Sequence, residues 1–228
     1  AGVPEAPELA REFDAGGWGG SVRRNQRSAP ETPMERSGSD GDGAKKECSR
    51  RLHHSAVALD QITEGELVLI DAVAGESEDG AERRPTTELA LHRHAHSAGG
   101  PDDRVVLHIH SPWTVAASVL DLAELPLVHY HQALLGDRPT QVVPYSTPGS
   151  DELAAAVGAA LTPSVRAVML ANHGAVLLGV TGAEALQHAE VLEDVCRLVV
   201  LADGRQRPLA PAQLRDARTL FERYGSSR

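Results

Sequence analysis

The sequence has few aromatic residues and few cysteines. Aromatic residues make up 3% of its 228 positions, and the cysteines are only two, Cys48 and Cys196. They form neither a C-x-x-C pair nor a disulfide framework, which is typical of proteins from a reducing compartment. Cys196 lies on the apolar side of a predicted helix, so we expect it in the core.

Long apolar runs and an excess of positive charge are also missing. No apolar run approaches the ~20 residues that cross a bilayer, and the first residues do not show the charged-then-apolar pattern expected of a signal peptide. The net charge of −10, from 22 Lys and Arg against 32 Asp and Glu, argues against a broad nucleic-acid or anionic-membrane surface. We therefore expect a cytoplasmic protein with neither nucleic acid nor membrane as a partner.

The chain contains enough apolar residues to form a hydrophobic core, and it contains an unusual number of histidines. Hydrophobic residues account for 41% and charged residues for 24%, as in ordinary globular proteins, and we interpret residues 1–228 as a single domain. Eleven histidines accompany only two phenylalanines. This excess points to metal or proton chemistry, although histidines can also be plain surface residues.

Predicted strands and helices alternate over most of the chain, which favours a layered α/β domain. The segment 24–51 carries Ser, Gly, Pro and charged residues without apolar periodicity, and we predict a flexible loop there. The predicted strands are 66–71, 105–110, 141–143 and 165–172, the last continuing at 176–178. The predicted helices are 85–98, 112–120, 129–135, 150–161, 181–202 and 208–224.

Three histidines are candidate metal ligands. His108 and His110 are two residues apart on a predicted strand, so their side chains project from the same face. His173 follows another apolar strand and precedes Gly174, which permits close backbone approach. Three imidazoles with a nearby acid are typical of an open zinc site, whereas a lone H-x-H pair is as often a surface feature. Three further histidines are expected to be exposed to solvent: His92, His94 and His96.

The start of the first predicted long helix supplies an acid and two hydroxyls. Glu88 is predicted in its first turn, where a carboxylate could simply favour the helix dipole. Thr86 and Thr87 stand beside it at a helix N-terminus, whose free N–H groups favour an anion. A phosphate held there would lie next to Glu88 and the predicted metal.

Five motifs in this order resemble the class II aldolase/adducin family, most closely its aldolases of the L-fuculose 1-phosphate type. They are Thr86-Thr87-Glu88, Val106-Leu107-His108-Ile109-His110-Ser111, Leu125-Pro126-Leu127-Val128-His129-Tyr130, Val143-Pro144-Tyr145-Ser146-Thr147-Pro148-Gly149 and Asn172-His173-Gly174. The resemblance runs from about Leu52 to the C-terminus. It implies a three-layer α/β/α sandwich around a mixed, mostly antiparallel sheet, and a homotetramer with active sites between subunits.

The resemblance also implies one Zn²⁺ per subunit. His108, His110 and His173 match the zinc-binding histidines of the family. Glu88 matches the acid that binds zinc in the resting enzyme and transfers a proton once substrate displaces it.

The remaining site residues are implied in the same way. Thr86 and Thr87 match hydroxyls that hold the substrate phosphate, and Ser55 falls where another phosphate contact is expected. Tyr130 matches a tyrosine that reaches an active site across a subunit boundary and donates a proton to the aldehyde oxygen. Tyr224 matches a C-terminal tyrosine that closes over the substrate. The family's N-terminal Gly-Asn motif is not matched, because Gly19-Gly20-Ser21 has no Asn.

Three functions follow from the resemblance. The first is reversible cleavage of a ketose 1-phosphate, of the L-fuculose or 5-deoxypentulose type, to dihydroxyacetone phosphate and a small aldehyde. The second is a zinc-dependent dehydratase of the methylthioribulose-1-phosphate type, or a decarboxylase, on the same fold. The third is a non-catalytic, adducin-like assembly domain, which would not need the metal ligands.

Overall fold

The computed structural model describes residues 49–53, 67–71, 85–100 and 105–225. They all belong to one compact unit, Lys46–Arg228. The strands are β1 Ser49–His53, β2 Leu67–Asp71, β3 Val105–Ile109, β4 Val142–Val143, β5 Ala167–Leu170 and β6 Gly174–Gly179. The α-helices are α1 Leu89–Ala98, α2 Pro112–Ser118, α3 Asp151–Ala160, α4 Gly182–Ala202 and α5 Pro211–Gly225, and a 3-10 helix spans Tyr130–Leu134.

The main sheet has four strands in the order β3-β6-β5-β4. β6 pairs antiparallel with both β3 and β5, and β4 pairs parallel with β5. β1 and β2 form a separate antiparallel pair. The predicted mixed, mostly antiparallel sheet is confirmed.

Helices cover both faces of this sheet, because successive side chains of a strand point to opposite sides. The residues of β5 and β6 that pack with α2 and α4 are Ala167, Met169, Ala175 and Leu177. The residues that pack with α1 and α3 are Val168, Leu170, Val176 and Leu178. All eight are buried, as expected for a sheet enclosed on both faces, and the three-layer α/β/α prediction is confirmed.

Local side-chain caps begin α3 and α4 where the sequence predicts them. The Ser150 hydroxyl accepts the N–H of Leu153 at 3.2 Å, and the Thr181 hydroxyl accepts that of Glu184 at 3.1 Å. The Glu184 carboxylate accepts the N–H of Val180 at 2.7 Å. No helix in the described ranges is both long and apolar enough to cross a membrane.

Three predicted segments differ from the structure. The predicted helix 129–135 is a short 3-10 helix, because the buried Gln132 side chain accepts the N–H groups of Val128 and His129 and donates to the Pro126 carbonyl. The predicted strand 165–172 ends at Leu170, and the chain reverses before β6 instead of continuing in the same direction. Of the predicted loop 24–51, residues 24–48 lie outside the described residues. Residues 49–51 are strand, since their backbone pairs with β2.

The position of Cys196 leads to a test of this packing. Its thiol is buried under α2 beside Met169, and burial, with the charge of Glu193, raises the pKa of Cys196 to about 12. Because the thiolate is the reactive form, we expect a Cys48→Ser variant to resist a thiol-labelling disulfide reagent at pH 7 to 9 until it is unfolded in urea. Labelling of the native variant as fast as that of the urea-unfolded variant would contradict this packing.

Candidate metal centre

His108 lies on the edge strand β3, with its ring directed away from the α2/α4 layer. Its Nδ1–H donates to the carbonyl oxygen of Ala175 on β6 at 2.9 Å, which fixes the ring and leaves Nε2 as the free ligand atom. That Nε2 lies 2.9 Å from Glu88 Oε2 and 3.0 Å from His110 Nε2. His108 therefore lies at the centre of a group of side chains that includes Glu88 and His110.

Glu88, at the start of α1, contributes the carboxylate of this group. It is the residue just before the first helical residue rather than within the first turn, and it is 8% exposed. The Thr86 hydroxyl accepts the N–H of Glu88 at 3.3 Å. The second carboxylate oxygen, Oε1, lies 3.5 Å from His173 Nε2.

His173 lies in the turn between β5 and β6, and two neighbours determine its position. Asn172 has φ 55°, a left-handed conformation that Asn and Gly adopt more readily than other residues, and its N–H donates to Ser118 at 2.9 Å. Gly174 has no room for a side chain, since a Cβ there would lie 2.2 Å from the Ile109 carbonyl oxygen and 2.8 Å from the His110 ring. The turn thus places His173 against the end of β3.

The structure brings together all four predicted metal-ligating residues. One ligand atom from each of Glu88, His108, His110 and His173 lies within 4.8 Å of every other. The His110 and His173 rings stack at 4.9 Å, and both are perpendicular to His108. Glu88 is buried and His110 is exposed, so the cluster opens to solvent on the His110 side.

The charges in the cluster favour an ionised carboxylate. Burial alone raises the pKa of Glu88, but the contact with His108 and the positive charge that the three histidines carry when protonated outweigh it, so that this pKa lies below its usual value. Burial lowers the pKa of both His110 and His173, and the histidine neighbours add to this effect against the opposing charge of Glu88. Neutral imidazoles and a charged carboxylate are the forms that bind a metal ion.

This donor set fits a metal ion better than it fits hydrogen bonding alone. His108 Nε2 faces both a carboxylate oxygen and another ring nitrogen, and a single proton on it can serve only one of them. Among the residues that the structure describes, Glu88 Oε1 and His173 Nδ1 are buried and have no hydrogen-bond partner. Three nitrogens and one oxygen around a cation are the ligand set of an open zinc site.

The structure describes two of the three residues predicted to bind phosphate. Thr86 and Thr87 precede α1, next to Glu88, with Thr87 exposed and Thr86 also serving the local turn through its hydroxyl. Gly149, with φ +79°, lies close enough that a Cβ would be 3.0 Å from the Thr87 carbonyl oxygen. The 144–150 loop therefore lies beside these threonines. Ser55 lies outside the described residues.

Tyr130 is 47% exposed at the start of the 3-10 helix. Its ring contacts are with His129, His131 and Phe221, and none of these belongs to the cluster. Phe221, on α5, stacks on Tyr130 at 5.9 Å with an interplanar angle of 13°. The backbone of Tyr224 lies one turn further along α5, and its side chain lies outside the described part of the structure.

His92 is the residue whose surroundings the sequence does not predict. It is expected at the surface, but it is only 8% exposed, and its ring centroid lies 6.3 Å from that of His108. His92 follows Glu88 by four residues, about one helical turn. This i+4 spacing is the feature of the sequence that places His92 on the same side of α1 as a candidate ligand. His94 is exposed and His96 is half-buried.

The sequence matches the family model of the class II aldolase and adducin N-terminal domain over residues 49–200. The chain belongs to this family. The match spans every described strand and includes all four cluster residues.

Individual relatives within the family share about a quarter to a third of their aligned residues with this chain. The chain is 31% identical over 144 residues to L-fuculose phosphate aldolase of Escherichia coli K12, covering 63% of this chain and 64% of that protein. It is 31% identical over 156 residues to 3-oxo-tetronate 4-phosphate decarboxylase of the same strain, covering 66% and 72%. A solved structure of an L-fuculose 1-phosphate aldolase superposes with a TM-score of 0.67 at 25% identity, covering 75% and 79%.

Gly174 provides a test of how the cluster is built. We expect Gly174→Ala to weaken Co²⁺ binding at least ten-fold and to cost roughly 1–3 kcal/mol of stability, because the new Cβ displaces the end of β3 or the His110 ring. Metal titration and urea unfolding measure both effects. Gly182→Ala is the matched control, since no atom lies within 4 Å of a Cβ there. Normal Co²⁺ affinity in Gly174→Ala would contradict the described geometry.

Proposed function

We propose that this chain is a zinc-dependent aldehyde-lyase that reversibly cleaves a ketose 1-phosphate to dihydroxyacetone phosphate and a small aldehyde. The observation that carries the proposal is the convergence of Glu88, His108, His110 and His173 on one point. These four residues would hold one Zn²⁺ per chain. Zn²⁺ bound there supplies Lewis-acid stabilisation of the negative charge that develops on substrate oxygens.

The protein's own residues then carry protons and hold the substrate. Cleavage of a C–C bond beside a ketone removes a hydroxyl proton as the aldehyde forms and leaves an electron pair on the ketone fragment, which must be protonated. In this proposal Tyr130 exchanges the proton of the aldehyde oxygen, and Glu88 transfers the proton of the ketone fragment. In the addition direction the low pKa of Glu88 keeps its carboxylate ionised, so that it can accept this proton; in cleavage Glu88 returns the proton to the ketone fragment.

Binding of the substrate phosphate is assigned to the start of α1. The first turn of the helix and the hydroxyls of Thr86 and Thr87 would form an anion site within two residues of Glu88. Ser55 is proposed as a further phosphate contact. Tyr224 is proposed to close over the substrate from the C-terminal helix.

The exposed position of Tyr130 suits a role in a neighbouring site. Its ring is packed on Phe221 and away from the four ligands of its own chain, and nearly half of it is open to solvent. A homotetramer with closed symmetry would bring the same surface to each neighbouring subunit. The tetramer and the cytoplasmic location remain predictions.

A decarboxylase is the second candidate function. The 31% identity to the 3-oxo-tetronate 4-phosphate decarboxylase equals that to the fuculose phosphate aldolase and covers more of the relative, 72% against 64%. Both reactions leave an electron pair beside a carbonyl group, so the same four ligands suit either one. The adducin-like alternative is disfavoured because an assembly domain does not need four converging ligands.

Activity separates the two enzymatic candidates. We expect the zinc-loaded chain to release dihydroxyacetone phosphate from L-fuculose 1-phosphate or a 5-deoxypentulose 1-phosphate, as measured by a coupled dehydrogenase assay. We expect Tyr130→Phe to lower kcat by about 10²- to 10⁴-fold, because it removes the group that takes up the hydroxyl proton in cleavage and returns it to the aldehyde oxygen in the reverse reaction. Tyr145→Phe is the matched control, since Tyr145 is an exposed tyrosine with no assigned role.

Two results would contradict the aldolase assignment. One is the absence of dihydroxyacetone phosphate with every such ketose at full zinc occupancy. The other is release of CO₂ from 3-oxo-tetronate 4-phosphate under the same conditions, which would establish the decarboxylase instead.

A further inference from the structure

His110 differs from the other candidate ligands in how it is held. His108 lies within the β3–β6 ladder, opposite Val176, and its ring is bonded to the Ala175 carbonyl. The ladder ends at Ile109, opposite Ala175, so the backbone of His110 has already left the sheet. The position of His110 therefore depends on the corner that follows it, where the chain turns into α2.

A carboxylate from a distant part of the sequence holds this corner. Glu193 lies in the middle of α4, and its Oε1 accepts the N–H of Trp113 at 2.8 Å. Its Oε2 accepts the N–H of Thr114 at 2.8 Å and the hydroxyls of Thr114 and Ser111 at 2.8 and 2.5 Å. Four donors from three residues of the corner, Ser111, Trp113 and Thr114, thus converge on one side chain.

Glu193 replaces the local cap that α2 lacks. Ser111 occupies the cap position but makes no side-chain hydrogen bond to the helix backbone, and Pro112 has no N–H. The remaining early N–H groups are those of Trp113 and Thr114, and both donate to Glu193. The N–H of Val115 already returns to the Ser111 carbonyl at 2.9 Å. Of these three N–H groups at the start of α2, two therefore donate to α4 and one donates to the Ser111 carbonyl.

The segment of α4 that carries Glu193 is packed into the core. Leu192, Val195 and Cys196, which flank Glu193 on α4, are fully buried in the core that α4 shares with α2 and the sheet. One turn beyond Glu193, the guanidinium of Arg197 lies over the Trp113 ring at 5.7 Å. Two charged residues of α4 thus hold the first turn of α2, which begins two residues after His110.

We propose that Glu193 is a positioning residue for the metal centre, which fixes the Ser111–Thr114 corner and through it the imidazole of His110. This inference rests on the proposed metal site. Glu193 touches neither the four ligands nor any reacting atom, and it acts through the backbone that connects the corner to His110. Residues that orient metal ligands typically alter metal affinity by 10- to 100-fold when they are removed.

Metal binding by variants of the full chain tests the proposal. We expect Glu193→Ala to raise the Kd for Zn²⁺, measured by chelator competition, about ten-fold or more, and to change the visible absorption of the Co²⁺-loaded protein. Glu193→Gln keeps one acceptor oxygen and should lie between the wild type and Glu193→Ala. It also carries the test if Glu193→Ala does not fold.

The matched control removes a helix cap elsewhere. Thr181→Ala deletes the cap at the start of α4, so it should lower the unfolding temperature while leaving the Zn²⁺ Kd within two-fold of the wild type and the Co²⁺ spectrum unchanged. If both Glu193 variants behave like Thr181→Ala, Glu193 is a structural cap only and the proposal is wrong. If the wild type itself binds neither Zn²⁺ nor Co²⁺, the proposed metal site fails and the positioning role fails with it.

Discussion

The contact on which the site depends is that of His108 Nε2 with the Glu88 carboxylate on one side and the His110 ring on the other, at 2.9 and 3.0 Å. The other ring nitrogen of His108, Nδ1, is already used in the hydrogen bond to the Ala175 carbonyl. Three lone-pair donors so close together repel one another unless positive charge lies between them. The fold holds them there by its core packing, which makes a bound cation the simplest physical reason for the arrangement.

The sheet topology explains how ligands from distant parts of the sequence meet. β6 lies between β3 and β5, and it runs antiparallel to both, so the end of β3 and the β5–β6 turn fall at the same edge. α1 packs on one face of this sheet and brings Glu88 to that edge, while α4 packs on the other and brings Glu193 to the neighbouring corner. Side chains from both helix layers therefore meet at or beside the four-residue cluster.

The four residues of the cluster could be picked out from the sequence because their signals are local. The period of two along a strand places His108 and His110 on one face, and Gly174 marks the close approach beside His173. The 3-10 helix around Gln132, the buried position of His92 and the capping of α2 by Glu193 could not be predicted in this way. Each depends on contacts between residues that local patterns do not relate, most clearly the pairing of Glu193 with Ser111 across 82 positions.

X-ray absorption spectroscopy of the zinc-loaded chain is the sharpest test of the proposed metal site, because it reports the ligand atoms around the ion itself. We expect a shell of nitrogen and oxygen donors at about 2.0–2.1 Å, with outer-shell scattering that fits three imidazole rings. A sulfur donor, or a shell with fewer than two imidazoles, would show that the ion binds elsewhere and that Glu88, His108, His110 and His173 do not hold it.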